Sequence, residues 1–514
     1  MRNKFIQTVL LMGILFCSCK KSFLQQSDPE AVTIPQFFTS EADVLLALNG
    51  CYQSLRSSDC IGEESDLYTD QRSDDTGTND NQSNAGEPFQ FNNFSILPTN
   101  SYLEKHWLAL YQTITRCNIL LSNVDAVKFA SDSTKSQYVA EAKFLRAVIY
   151  FHLVRKWGDV PLVTTQLGTP GQINAIAFRA KAAAVYQQIV ADLSDAAKSN
   201  LPVTQPAGNR GRASMQAVTA ILGQVYLTRY ATLDGGNAGA AGSTTDLDSA
   251  NYYLSACYNM KKFGALSSIP YADVFDVNKK ATCPELIWQI VNIQGDITYH
   301  SNVAADAQAK GEQVTTRKPS SSLGDNVTHD LVKEYEPTDP RGTFSIKFDA
   351  NAQVNDWYVT KFRDTSSAAG VNGYGGNDWP LLRYADVILM LAEVNMYQNN
   401  SAGAITYLDM VRTRAGMPTY TASMGDPAYS TKFPTLKLAI LHERRVELAF
   451  EHQRWFDLLR FFSINDLVNY IHSKNPADWG LANIANFGTK DEYFPIPYAE
   501  NILDPVKMYQ NPGY

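Results

Sequence analysis

Residues 136–163, SQYVAEAKFLRAVIYFHLVRKWGDVPLV, constrain the fold more than any other stretch. Helical spacing runs through the segment, but apolar side chains cover much of its circumference rather than one stripe. A helix of this kind needs neighbours on several sides, because every apolar face left in water costs free energy in proportion to its area. Gly158 stops it and Pro161 follows, the ordinary grammar of a helix C-terminus. The rest of the chain must therefore supply the helices that enclose it.

Those helices are readable. Ser40 and Asp43 make a capping box ahead of Val44, Leu48, Tyr52 and Leu55 on one face. Residues 102–127 carry Leu103, Trp107, Leu110, Ile114, Cys117, Leu121 and Val124 in steps of four and three, a packing stripe. Further helical segments fall near 180–198, 212–231, 246–262, 382–399, 402–414 and 435–462. Helix pairs of this length with short connections predict a mainly α, tetratricopeptide-like stack, although that repeat's strict consensus is absent. Nothing reads as a linker, so a single domain over 19–514 is expected.

Two regions break the pattern. Residues 58–100 are polar and rich in Asp, Asn and Ser, and residues 264–380 hold a few short β-strands: ELIWQIVNI, then GTFSIKF and WYVTKFRD as a hairpin. Long insertions on a rigid scaffold are where binding sites concentrate.

The N-terminus is a targeting segment. Arg2 and Lys4 precede an apolar run from Phe5 to Phe16, too short for the roughly 20 residues that span a bilayer. No small-x-small cleavage site follows. Instead Phe16-Cys17-Ser18-Cys19 resembles a bacterial lipoprotein box, which makes residues 1–18 a signal peptide and Cys19 the lipidated first residue of an exported, membrane-tethered chain. Five cysteines remain without CxxC spacing, which argues against a disulfide scaffold or a zinc module. A Cys51–Cys60 bridge is left open. Net charge is −8, or −8 − 2 = −10 once Arg2 and Lys4 are gone, and no basic stripe suits nucleic acid. With charged residues at 19% and 27 tyrosines, the composition favours neutral, hydroxyl-rich ligands.

Residues 441–460, LHERRVELAFEHQRWFDLLR, pose the question of catalysis most sharply, with eight charged side chains and two histidines. On a continuous helix Glu443, Glu447 and Glu451 share a face, but neither Glu-x-x-His nor HExxH spacing occurs. Arg444, Arg445 and Arg454 are expected to pair with those carboxylates and to join Asp386, Glu393, Arg412 and Arg414, while Leu441, Leu448, Trp455 and Leu459 face the core. The segment then fixes helix register and is not an active site. Elsewhere there is no G-x-S-x-G elbow, Walker loop or G-x-G-x-x-G fingerprint, so no enzyme and no cofactor are expected. A glycoside hydrolase using the loop carboxylates is the weaker alternative, since adjacent Asp74 and Asp75 point their side chains apart. The run DDTGTNDN lacks EF-hand spacing, leaving a bound calcium ion open but no defined metal site.

Seven segments in order resemble the SusD/RagB family of outer-membrane nutrient-binding lipoproteins. They are CKKSFLQQSDPE, FFTSEADVLLALNGCYQSLR, AEAKFLRAVIYFHLVRKWGDVPLV, TDPRGTFSIKF, LLRYADVILMLAEVNM with AITYLDMVRTRAG, HERRVELAFEHQRWFDLLRF, and YFPIPYAENILDPVKMYQNPGY. The resemblance implies four tetratricopeptide-like helix pairs in a curved scaffold whose loops carry the ligand site. It also implies a surface-exposed lipoprotein of the outer membrane that captures oligosaccharides for a SusC-like TonB-dependent transporter. A peptide ligand, or a non-selective lid on that transporter, is the alternative. By position in the family, the 58–100 loop would supply Asp66, Tyr68, Asp70, Arg72, Asp74, Asp75, Asn92 and Asn93, and Tyr299 would stack on a sugar face. Residues 301–326 contain no aromatic, where some relatives would present one.

Overall fold

The computed structural model describes residues 34–77, 86–232, 244–308, 312, 314–316, 327–350, 355–480 and 482–514. The expected signal peptide, residues 1–18, and Cys19 lie outside them.

Eight helices form a series in which each packs on the next: α1 (Glu41–Leu55), α2 (Ser101–Asn123), α3 (Asp132–Trp157), α4 (Ala182–Ala197), α5 (Met215–Ala231), α6 (Thr244–Asn259), α7 (Tyr384–Tyr397) and α8 (Ser401–Arg414). The Ser40–Asp43 capping box opens α1, whose Val44, Leu48, Cys51 and Leu55 are buried. Helix α3 is enclosed by α1, α2, α4 and α5, so nearly all of Ala140–Trp157 is buried, as its all-round apolar surface requires. The stripe on α2 is buried too, with Leu120 rather than Leu121 completing its last turn. Among the described residues the cysteines are free: Cys51 lies beside Cys117, and Cys60 Sγ is 3.7 Å from Thr113 Oγ1, so the Cys51–Cys60 bridge is not formed.

Strand β1 (Leu286–Ile290) pairs antiparallel with β4 (Trp379–Arg383), with Ile290 opposite Trp379. The expected hairpin forms between β2 (Ile346–Asp349) and β3 (Asp356–Val359).

The charged segment corrects the sequence reading. Helix α9 (Leu436–Glu447) ends at Glu447, and α10 (Arg454–Phe461) starts anew. Between them Phe450 and His452 take left-handed φ values of 64° and 61°. Buried cations cap the orphan carbonyls: Arg383 Nη2 donates to Glu447 O at 2.8 Å, and Lys361 Nζ to Ala449 O at 2.8 Å. Glu451 therefore shares no helix face with Glu443 and Glu447. The partners follow expectation in part: Arg412 and Arg414 join the network and Arg444 meets Asp386, but Arg444, Arg445 and Arg454 do not hold the three glutamates. Arg341, Arg412, Arg383 and Arg414, from other elements, hold Glu443 and Glu447. Arg444 instead pairs with Asp386 and Asp457 at 2.8 and 2.9 Å, Arg445 with Asp75 and Asp330 at 2.8 Å each, and Arg454 with Asp74 at 2.7 Å. Such fully desolvated pairs specify register more than they add stability, and removing one partner is costly.

Candidate functional site

The two insertions meet. Asn302 N donates to Glu63 Oε1 at 2.6 Å, Asn292 Nδ2 to Glu63 Oε2 at 2.9 Å, and Asn302 Nδ2 to Glu64 Oε2 at 2.9 Å. At this junction lies a cavity of about 210 Å³. Its carboxylates come from the first insertion: Asp59, Glu63, Glu64, Asp66 and Asp70. Its apolar wall is contributed by Tyr68, Tyr102, Phe362, Trp379, Phe450 and His452.

Each wall is positioned by the fold. Trp379 opens β4, and Phe362 follows β3. Phe450 and His452 reach the cavity from the left-handed turn between α9 and α10, and that turn aims His452 N at Asp70 Oδ2, 3.1 Å away. The Tyr68 ring stacks on His106, and its hydroxyl donates to Asp59 Oδ1 at 3.2 Å and to the Tyr102 carbonyl at 3.1 Å. Behind it, His106 Nδ1 donates to the Asp59 carbonyl, which leaves Nε2 to accept from Lys156 Nζ at 2.8 Å.

Burial dominates the electrostatics. It pushes the Glu63 carboxyl up to about 7 against the hydrogen bond from Asn302 N, and raises Asp70 well above the carboxylate range with help from Asp75. It also pushes His452 down to about 3, so that imidazole is neutral. Asp70 Oδ1 and Thr76 Oγ1 line the cavity without a hydrogen-bond partner among the described residues, although the two residues are only 1% and 2% exposed.

Of the residues expected from the sequence, Asp66, Tyr68 and Asp70 line this cavity. Arg72, Asp74, Asp75 and Asn92 do not; all four are buried and hold the loop. Arg72 lies over the rings of Phe494 and Trp455, 4.2 and 4.8 Å from their centroids, and donates to Asp491 O. Burial would raise the Asp74 carboxyl, but Arg445, Arg454 and Lys474 outweigh it and hold it well below the ordinary range. Asp75 accepts from Arg445 Nε, and Asn92 Nδ2 donates to the carbonyls of Gln71 and Thr76 at 3.2 Å each. Asn93 accepts from Asn483 N at 2.8 Å. Tyr299 is 40% exposed on the second insertion, beneath the Arg56 guanidinium and near exposed Ile293 and Ile297. The candidate calcium stretch leaves the described residues after Gly77, and among those described no trio of His, Cys, Asp or Glu is arranged for a metal ion.

Comparison with known proteins bears on what such a scaffold is. Residues 296–514 match the SusD family, and residues 22–227 match a family described as starch-binding and associating with the outer membrane. The chain belongs to the SusD/RagB family. It is 27% identical to SusD-like protein P2 of Formosa agariphila, each chain being covered completely. A SusD superfamily protein of Parabacteroides distasonis superposes with a TM-score of 0.71 at 25% identity, over 93% of this chain and 100% of that one. A laminarin-binding SusD-like protein superposes with the same score, identity and coverage.

For a SusD/RagB chain, the wall residues the sequence reading missed are instructive. Trp379, Phe450 and Phe362 look like core aromatics, and most of their surface is indeed core. His452 was absorbed into a scaffolding helix. Glu63 and Glu64 stand in the same polar loop as Asp66, and that proximity was the available signal.

Proposed function

We propose that this protein is a lipid-anchored receptor on the outer surface of the outer membrane, which captures an oligosaccharide and passes it to a SusC-like TonB-dependent transporter. The observation carrying this reading is the cavity at the junction of the two insertions, lined by aromatic rings together with hydrogen-bonding carboxyls. A sugar ring offers the complementary surface, an apolar face edged by hydroxyls. Family membership, the family's description as starch-binding and membrane-associated, and a laminarin-binding relative support the same reading. Asp66, Tyr68 and Asp70 would contact the sugar, Tyr299 would extend the surface outward, and Cys19 would carry the lipid.

The test is calorimetric titration of mature, unlipidated chain (Cys19→Ala) with α-1,4- and β-1,3-glucan oligosaccharides and a peptide set, alongside Tyr299→Ala and Asp66→Asn. Sugar binding in the micromolar-to-millimolar range, weakened by either change, is expected. Binding of peptides alone would replace the sugar reading, and silence with both classes would leave a lid whose transporter selects.

A further inference from the structure

We propose that the cavity is built to take a positively charged amino group, so that the preferred glycan carries a free amino sugar. This rests on the glycan reading above and narrows it.

The charge balance of the cavity is unlike that of its surroundings. A few residues along the chain, Asp74 and Asp75 are matched by Arg445, Arg454 and Lys474. Asp59, Glu63 and Asp70, by contrast, line the cavity with no ion-pair contact to any described residue, although Arg56 and Lys361 lie near enough to favour the charges of Glu63 and Asp70. Glu63 spends both carboxyl oxygens on amide donors of Asn302 and Asn292. Asp70 spends only Oδ2, on His452 N.

The buried, unpartnered atoms point the same way. Among the described residues Asp70 Oδ1 accepts from nothing, and Thr76 Oγ1, a neutral hydroxyl, also lacks a partner. Leaving such atoms dry is costly, on the order of 1–3 kcal/mol each. An ammonium group presents three donors and no acceptor, which matches an unpartnered carboxylate oxygen and an unpartnered hydroxyl oxygen on two residues that line the same cavity. Tyr68, Tyr102, Phe362 and Trp379 complete the lining, and an aromatic ring attracts a cation wherever it presents its face. A cation seated there would favour the ionised forms of Asp70 and Glu63, which burial otherwise disfavours. The volume, about 210 Å³, is enough for one sugar residue.

The experiment compares three tetramers of one linkage on the mature Cys19→Ala chain: β-1,4-glucosamine, its fully N-acetylated form, and β-1,4-glucose. Titrations are repeated with Asp70→Asn and Glu63→Gln, and thermal unfolding verifies that each variant is folded. The glucosamine tetramer is expected to bind about tenfold or more tightly than either neutral tetramer, the scale of a desolvated cation on such a wall. Asp70→Asn should erase that preference, bringing the glucosamine tetramer down to the affinity that the same variant shows for the neutral tetramers. Equal affinity for all three tetramers, or a preference untouched by both substitutions, overturns the amino-group assignment and leaves the glycan reading standing. Binding of trilysine with no binding of any saccharide overturns the glycan reading itself. Tight uptake of Ca²⁺ alone that Asp70→Asn abolishes overturns the assignment in favour of a metal.

Discussion

The Tyr68 and His106 rings lie 3.8 Å apart between centroids and 4° from parallel. One face of Tyr68 is therefore spent on His106, and its hydroxyl on Asp59 and the Tyr102 carbonyl, so the residue is a wall before it is a stacking platform. Tyr68→Ala should destabilise the protein by about 3–5 kcal/mol, the range for deleting a buried aromatic ring. Urea unfolding reads this directly. A change under about 1 kcal/mol would mean the ring is not packed as described.

Tyr68→Phe separates the two roles. It keeps the stacked ring and removes the hydroxyl, leaving the Asp59 carboxyl short of a donor, so a loss of about 1 kcal/mol is expected by the same measurement.

Stability should fall as pH rises through the range set by Glu63. Burial raises its pKa from 4.5 to about 7, so the folded chain keeps the proton where the unfolded chain has released it. The folded state binds more protons between those values, and linkage makes stability decline from about pH 4.5 to about pH 7. Arg56 and Glu64 face the same carboxyl and act in opposite directions, the first favouring its charge and the second opposing it. Glu63→Gln should flatten this part of the profile, measured as thermal midpoint against pH. Superimposable profiles for the parent and the variant would contradict it.

Asp74 balances a group of three cations. Asp74→Asn leaves Arg445, Arg454 and Lys474 short of a buried charge and should cost about 3–5 kcal/mol in urea unfolding. Its effect on sugar affinity, once the variant is shown to be folded, should be small, because Asp74 does not line the cavity. A large loss of affinity with unchanged stability would place Asp74 in the binding surface instead.

Cys19→Ala should move the protein from the membrane pellet to the soluble fraction of expressing cells. Retention of the variant in the pellet would mean that tethering does not depend on Cys19.

Periodicity carried the scaffold well. The steps of four and three in residues 102–127, and the all-round apolar surface of residues 136–157, leave few alternatives to stacked helices. The Ser40–Asp43 cap set the first boundary to the residue. What periodicity could not convey is where a regular pattern is interrupted by distant groups. Residues 441–460 keep helical spacing throughout, yet the helix stops at Glu447, and Arg383 and Lys361, remote in sequence, take the carbonyls of Glu447 and of Ala449 in the turn that follows. The site suffered the same blindness. An acidic, aspartate-rich loop reads alike whether its carboxylates face arginines, as Asp74 and Asp75 do, or an open space, as Asp70 does. Trp379 and Phe450 gave no sign of having one edge on a cavity, since a wall and a core demand the same side chains.

The contact between His452 N and Asp70 joins residues 382 positions apart, and neither carries a cavity by itself. Binding competence is thus a late property of this chain. It arrives only after the last quarter of the sequence has folded back onto the first, so a truncated or half-folded molecule would present no receptor at all. In the receptor proposed above, ligand capture would double as a report that assembly is complete.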